Sequence, residues 1–134
     1  MAASPYQTAI KLLARREHSR AELQQKLTVK FPQQQDEIAR LLDQLSTEGW
    51  QSDMRFAEAD LRSRANQGYG WQRIRMELQQ RGIADGVAKS AFEQSDVDWD
   101  VLKTQVEHKK FGGMPAEDWA AQQKRLQYLY RRGF

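Results

Sequence analysis
The chain has 134 residues, 40% of them hydrophobic, with 21 Lys and Arg against 18 Asp and Glu and a net charge of +3. The absence of cysteine excludes a disulfide framework, cysteine-ligated zinc and thiol catalysis. The charge excess is too small to mark a nucleic-acid binder by itself, and no apolar run approaches the roughly 18 residues of a membrane helix, so the cytoplasm is the expected location.

Ala and Leu supply 27 residues and Gln 17, whereas Val, Ile and Thr together supply 13, a balance that favours helix over strand. In chain order, Tyr6, Ala9, Ile10 and Leu13 fall on one helical face. Ser19-Arg20-Ala21-Glu22 has the form of a capping box and opens a second helix with Leu23 and Leu27, stopped near Phe31-Pro32. Ile38, Leu41, Leu42 and Leu45 mark a third helix, closed at Gly49. Asp53 is expected to cap a fourth, with Phe56, Ala57, Leu61 and Ala65 as its stripe and Gly68-Tyr69-Gly70 as its break. Trp71, Ile74 and Leu78 mark the fifth, stopped by Gly82, and Val87, Ala88, Ala91 and Phe92 the sixth. A seventh runs from about Trp99 through Leu102 and Val106 to the loop Phe111–Pro115, and an eighth carries Trp119, Leu126, Leu129 and Tyr130 before Gly133. The four tryptophans, Trp50, Trp71, Trp99 and Trp119, are expected to pack in the core near helix starts.

The helices group in threes. Leu27, Leu78 and Leu129 are each 51 residues apart, and two of their helices end in the same basic–glycine–apolar stop, Arg81-Gly82-Ile83 and Arg132-Gly133-Phe134. The pattern predicts an all-α, elongated array of tandem three-helix modules over 1–52, 53–97 and 98–134, the last lacking its third helix. Segmental charge is uneven: residues 54–81 hold six Arg against three acids, whereas 1–53 and 82–134 are each balanced. Arg62, Arg64, Arg73, Arg75 and Arg81 are therefore the leading candidates for contact with an anionic partner, because Arg forks onto carboxylate and phosphate. Lys109, Lys110, Arg131 and Arg132 are second-rank candidates, and for Arg81 and Arg132 compensation of a helix C-terminal dipole is an equal reading.

Catalytic and cofactor chemistry has no foothold in the pattern. His18 and His108 lie far apart and read as exposed helix positions, and no catalytic or metal-binding residue is expected. Gly68-Tyr69-Gly70 begins like a dinucleotide fingerprint, but Arg73 takes the third glycine's place and a helix precedes it. Asp96, Asp98, Asp100 and Glu107 have the spacing of a calcium loop, yet Val101 stands where the turn needs glycine, and the stretch reads as a helix start.

Four stretches carry a resemblance. Ile10 to Ser19 followed by Glu22-Leu23 and Lys26-Leu27, then Gly49-Trp50-Gln51-Ser52-Asp53-Met54-Arg55-Phe56, then Gly68-Tyr69-Gly70 with Arg73-Ile74, Glu77-Leu78 and Arg81-Gly82-Ile83, resemble the RecX family of recombinase regulators, as does Tyr130 to Phe134. Ser52 replaces an acid common at its position, a change compatible with helix capping. The resemblance implies a modular, curved, all-helical protein that binds the RecA recombinase filament on single-stranded DNA; the helical pattern itself predicts a monomer, and no cofactor is expected. The resemblance further implies restraint of filament extension, strand exchange, ATP hydrolysis and repressor self-cleavage. On that reading, charge reversal at Arg62 and Arg73 is expected to abolish inhibition. The competing readings are a direct DNA binder built of helix-turn-helix-like units and a scaffold with neither activity.

Overall fold
The computed structural model describes residues 2–134. Among them lie eight helices and no strand: α1 (Pro5–Arg15), α2 (Arg20–Lys30), α3 (Gln35–Thr47), α4 (Asp53–Asn66), α5 (Trp71–Gln80), α6 (Asp85–Glu93), α7 (Trp99–Phe111) and α8 (Trp119–Arg131). The capping box at Ser19 is formed in both directions, and a second one, Ser4 with Gln7, opens α1. At α4 the cap is Ser52 rather than Asp53: its hydroxyl accepts the Arg55 N–H. The Asp53 carboxylate is thereby released for contacts with the first unit.

The expected stripes build two separate cores. Ala9, Leu23, Leu27, Ile38, Leu41, Leu42 and Leu45 close the first unit, α1–α3. Phe56, Ala57, Leu61, Ala65, Ile74, Leu78, Ile83, Ala88 and Ala91 close the second, α4–α6. The third, α7–α8, differs: α7 buries no residue and α8 buries only Leu129. Full burial of a large apolar side chain is worth about 1.5–3 kcal/mol. The first two units therefore hold themselves together, whereas the third depends on its attachment to the second.

Part of that attachment is aromatic. Trp71 stacks on Phe92 at 4.5 Å and Phe92 meets Trp99 at 5.6 Å, so the start of α7 leans on the second core. Trp71 and Trp99 thus pack as expected. Trp50 and Trp119 do not: they are 51% and 77% exposed, Trp50 in the α3–α4 turn and Trp119 at the first position of α8. Leu126 and Tyr130, placed on the apolar stripe of α8, are exposed as well.

Candidate functional site
Two joints connect the units, and both are built alike. In the first, the C-terminal end of α5 meets the N-terminal end of α2. The Ser19 hydroxyl accepts the Glu22 N–H at 3.1 Å and donates to the Arg81 carbonyl at 2.8 Å. Gly82 takes φ +81°, and a Cβ there would run into Ala21 of the first unit. Beside it, the Asp53 carboxylate accepts the Arg20 N–H and the Gln51 amide, each at 2.9 Å.

Charge is concentrated at this joint. Burial pushes the Glu22 carboxyl up, but hydrogen bonds from Arg16 and the Ser19 N–H, with the Arg16 and Arg81 charges, hold it below its usual value. Burial raises the Asp60 carboxyl. His18, expected on an exposed helix face, sits instead in the α1–α2 turn at 2% exposure. Its Nδ1 lies 3.1 Å from the Arg16 carbonyl and its Nε2 lies 3.1 Å from the Lys26 ammonium. Burial lowers its pKa, and the positive Arg16 and Lys26 charges act in the same direction. His108 is exposed on α7.

In the second joint the C-terminal end of α8 meets the N-terminal end of α5. Gly70 N–H donates to the Arg132 carbonyl at 2.7 Å and Gln72 N–H to the Gly133 carbonyl at 3.1 Å. Gly133, at φ +100°, lies so close to Gly70 and Arg73 that a Cβ has no space. Ser19 and Gly70, Arg81 and Arg132, and Gly82 and Gly133 are all 51 residues apart. The repeated stop is therefore a connector, and it sets the negative end of one helix dipole against the positive end of the next.

Tyr69 is the hub of this second joint. The guanidinium carbons of Arg132, Arg64 and Arg73 lie 4.1, 4.2 and 4.3 Å from its ring centroid. Arg132 also donates to the Gly68 and Gln67 carbonyls at 3.1 and 2.6 Å. Glu77 offsets the crowding of cations: it takes both Arg64 nitrogens at 2.9 and 2.7 Å and stands 3.5 Å from Arg73. Burial raises the Glu77 carboxyl, but these arginines outweigh it and keep it below its usual value.

The predicted basic residues engage different partners. Arg64, Arg73 and Arg132 surround Tyr69, Arg75 pairs with Asp85 on the surface, and Arg81 stands at the first joint, 3.9 Å from Glu22. Arg62 is exposed on the rim of a cleft it shares with Glu58, Asp96 and Asp98. Lys109 and Lys110 lie together at the end of α7, beside Gln67 and Gly68. A groove between α5, α7 and α8 gathers Arg73, Lys110, Arg131 and Arg132, and adds Lys124, over Phe111 and Tyr128. No acidic side chain lines it.

Lys124 was missed by counting charge in blocks, although a signal was present. Residues 119–134 carry four basic residues and no acidic one, and Lys124, Tyr128 and Arg131 recur at helical spacing. Among the described residues no three His, Asp or Glu side chains are grouped to hold a metal ion. Asp98 caps α7 through the Val101 N–H at 3.1 Å, the helix-start alternative to a calcium loop. No helix among them is long and apolar enough to cross a membrane.

Comparison with known proteins gives three family matches in chain order: the RecX first three-helix domain at 6–45, the second at 52–91 and the third at 96–134. The Regulatory protein RecX of Chromohalobacter salexigens is 45% identical over 98% of this chain and 86% of its own length. That of Vibrio vulnificus is 39% identical over 95% and 82%, and that of Halorhodospira halophila 43% over 94% and 78%. The crystal structure of RecX from Lactobacillus salivarius superposes with a TM-score of 0.60 over 95% of both chains at 18% identity, a likeness of fold. With the helical units, the repeated joints and these matches in hand, the chain belongs to the RecX family of regulatory proteins.

Proposed function
We propose that this protein acts as a monomer in the cytoplasm, binds the RecA recombinase filament on single-stranded DNA and limits its extension. Strand exchange, ATP hydrolysis and the stimulation of repressor self-cleavage fall as a consequence. The observation that carries this reading is the ordered match to all three RecX domains across 6–134. We place the unit borders at 52/53 and 97/98, between the hydrophobic clusters and in the turns that precede α4 and α7. A row of units joined end to end suits such a partner, since several weak contacts along a repeating filament add through high effective concentration.

Of the second unit's arginines, Arg62 and Arg75 are the ones we assign to the recombinase. Arg62 is exposed with no carboxylate partner within ion-pair distance among the described residues, and the Arg75–Asp85 pair is open to solvent, where such pairs contribute little. Titration into RecA filaments on single-stranded DNA, followed by ATP hydrolysis, is expected to show hydrolysis falling with added protein. Undiminished hydrolysis at saturation overturns the reading. The Arg62→Glu/Arg75→Glu pair is expected to weaken inhibition at unchanged helical content. Arg73 is a poor choice for charge reversal because it holds Tyr69 and the second joint.

A further inference from the structure
We propose that the basic groove between α5, α7 and α8 binds the phosphodiester backbone of a nucleic-acid strand, and that a bound strand locks the joint between the second and third units. This goes beyond the regulatory reading, for it requires no recombinase.

The groove holds Arg73, Lys110, Lys124, Arg131 and Arg132. Among the described residues no carboxylate lies within ion-pair distance of the last four, and Arg73 shares Glu77 with Arg64. Arg16, Arg20, Arg55, Arg64 and Arg75 each face an acid, whereas these four cations do not. Uncompensated like charges held together raise the free energy of the docked state, and a polyanion relieves it while releasing its own counterions.

The donors needed are still available. A guanidinium has five N–H groups. Arg132 spends Nε and Nη2 on the Gly68 and Gln67 carbonyls, which leaves Nη1 for a phosphate. Arg73 gives Nη1 to the Arg131 carbonyl at 3.4 Å and turns Nε to Glu77, so its Nη2 is free. A strand seated here therefore adds contacts without dismantling the cage around Tyr69. The groove also spans the joint: Arg73 comes from the second unit and Lys110, Lys124, Arg131 and Arg132 from the third. Phosphates bridging the two sides oppose their separation. By linkage, whatever the strand gains from the docked joint the joint gains from the strand. Tyr130, 80% exposed beside Arg131 and Arg73, offers a ring to an unpaired base.

The test uses the protein without recombinase. Fluorescence anisotropy with a labelled 20-nucleotide oligo(dT), and with a duplex of equal length, is read across 50–200 mM NaCl. For five cations on phosphate, single-strand affinity should fall with salt with a log–log slope of about −3.5. Lys124→Glu/Arg131→Glu should weaken binding at least tenfold, while Arg40→Glu/Lys89→Glu, an equal change of net charge outside the groove, should leave it nearly unchanged. Hydrogen exchange of the Gly70 and Gln72 amides, which close the joint, should slow on adding oligo(dT). Circular dichroism checks that both variants keep their helices. Tighter binding to the single strand assigns the site to unpaired nucleic acid and tighter binding to the duplex to paired, and both support it. No binding at 50 mM NaCl, equal losses in the two variants, unslowed exchange at Gly70 and Gln72, or preference for poly-glutamate over oligonucleotide overturns it. RecA inhibition can survive all of these, so the two readings fail separately.

Discussion
His18 shows how a single residue ties pH to the fold. A carbonyl only accepts, so Nδ1 carries the proton shared with Arg16 and the Nε2 lone pair faces the Lys26 ammonium. Protonating the ring destroys that acceptor and sets two cations 3.1 Å apart. Burial above all, joined by this contact, lowers the folded-state pKa below the unfolded value of about 6.5. The unfolded chain takes the proton first, so stability is full above that value and is lost as pH falls below it. Glu22 and Glu77, held low, lose their contributions only in more acid solution. Urea unfolding at pH 7.5 and 5.5 should show a larger drop in midpoint for the wild type than for His18→Gln, and equal drops would rule this account out.

At the scale of helices, the same cap opens two helices with different consequences. Ser4 and Ser19 both close capping boxes, but only Ser19 reaches another unit, through its bond to the Arg81 carbonyl. Removing a cap costs about 1 kcal/mol. The Arg81 carbonyl, partly buried, also loses its donor, which adds up to about 1–3 kcal/mol. Ser4→Ala is thus expected to lower stability by about 1 kcal/mol and Ser19→Ala by about 2–4 kcal/mol in denaturant titrations. Similar losses in the two variants would show that the joint contributes nothing beyond the cap. Gly70 does the work of Ser19 at the second joint with its backbone N–H, which is why the repeat keeps the geometry while changing the residue.

Across the whole molecule, stability is unevenly spread. The first two units own their cores, whereas the third buries Leu129 and otherwise leans on the Trp71–Phe92–Trp99 stack and the Tyr69 cage. Regions with few buried apolar contacts open at lower free energy than the global transition. Native-state hydrogen exchange should accordingly find the amides of 99–131 opening well before those of α2 and α5. Equal protection in α8 and α5 would mean that the joint alone makes the three units one cooperative body. A partner that grips the groove at the second joint would act on this least stable part.

The sequence by itself determined the helices, their order and their stops. Those follow from short-range rules: apolar residues at three- and four-residue spacing, Ser and Asp at N-caps, glycine after the last turn. The 51-residue recurrence of Leu27, Leu78 and Leu129 also located the connectors, since Arg81-Gly82 and Arg132-Gly133 are the residues that meet the preceding unit. What those stops do was decided only in three dimensions, because Ser19 and Arg81 are 62 residues apart and nothing local couples them. The same holds for charge. Composition counted six arginines in 54–81, but Glu17 and Asp85 from outside that block, with Glu77 inside it, neutralise several of them. The block count over 82–134 cancelled an acidic stretch against the basic α8. A field depends on which charges are paired and which face the same water, and that is set by the packing of α5, α7 and α8 rather than by the order of residues.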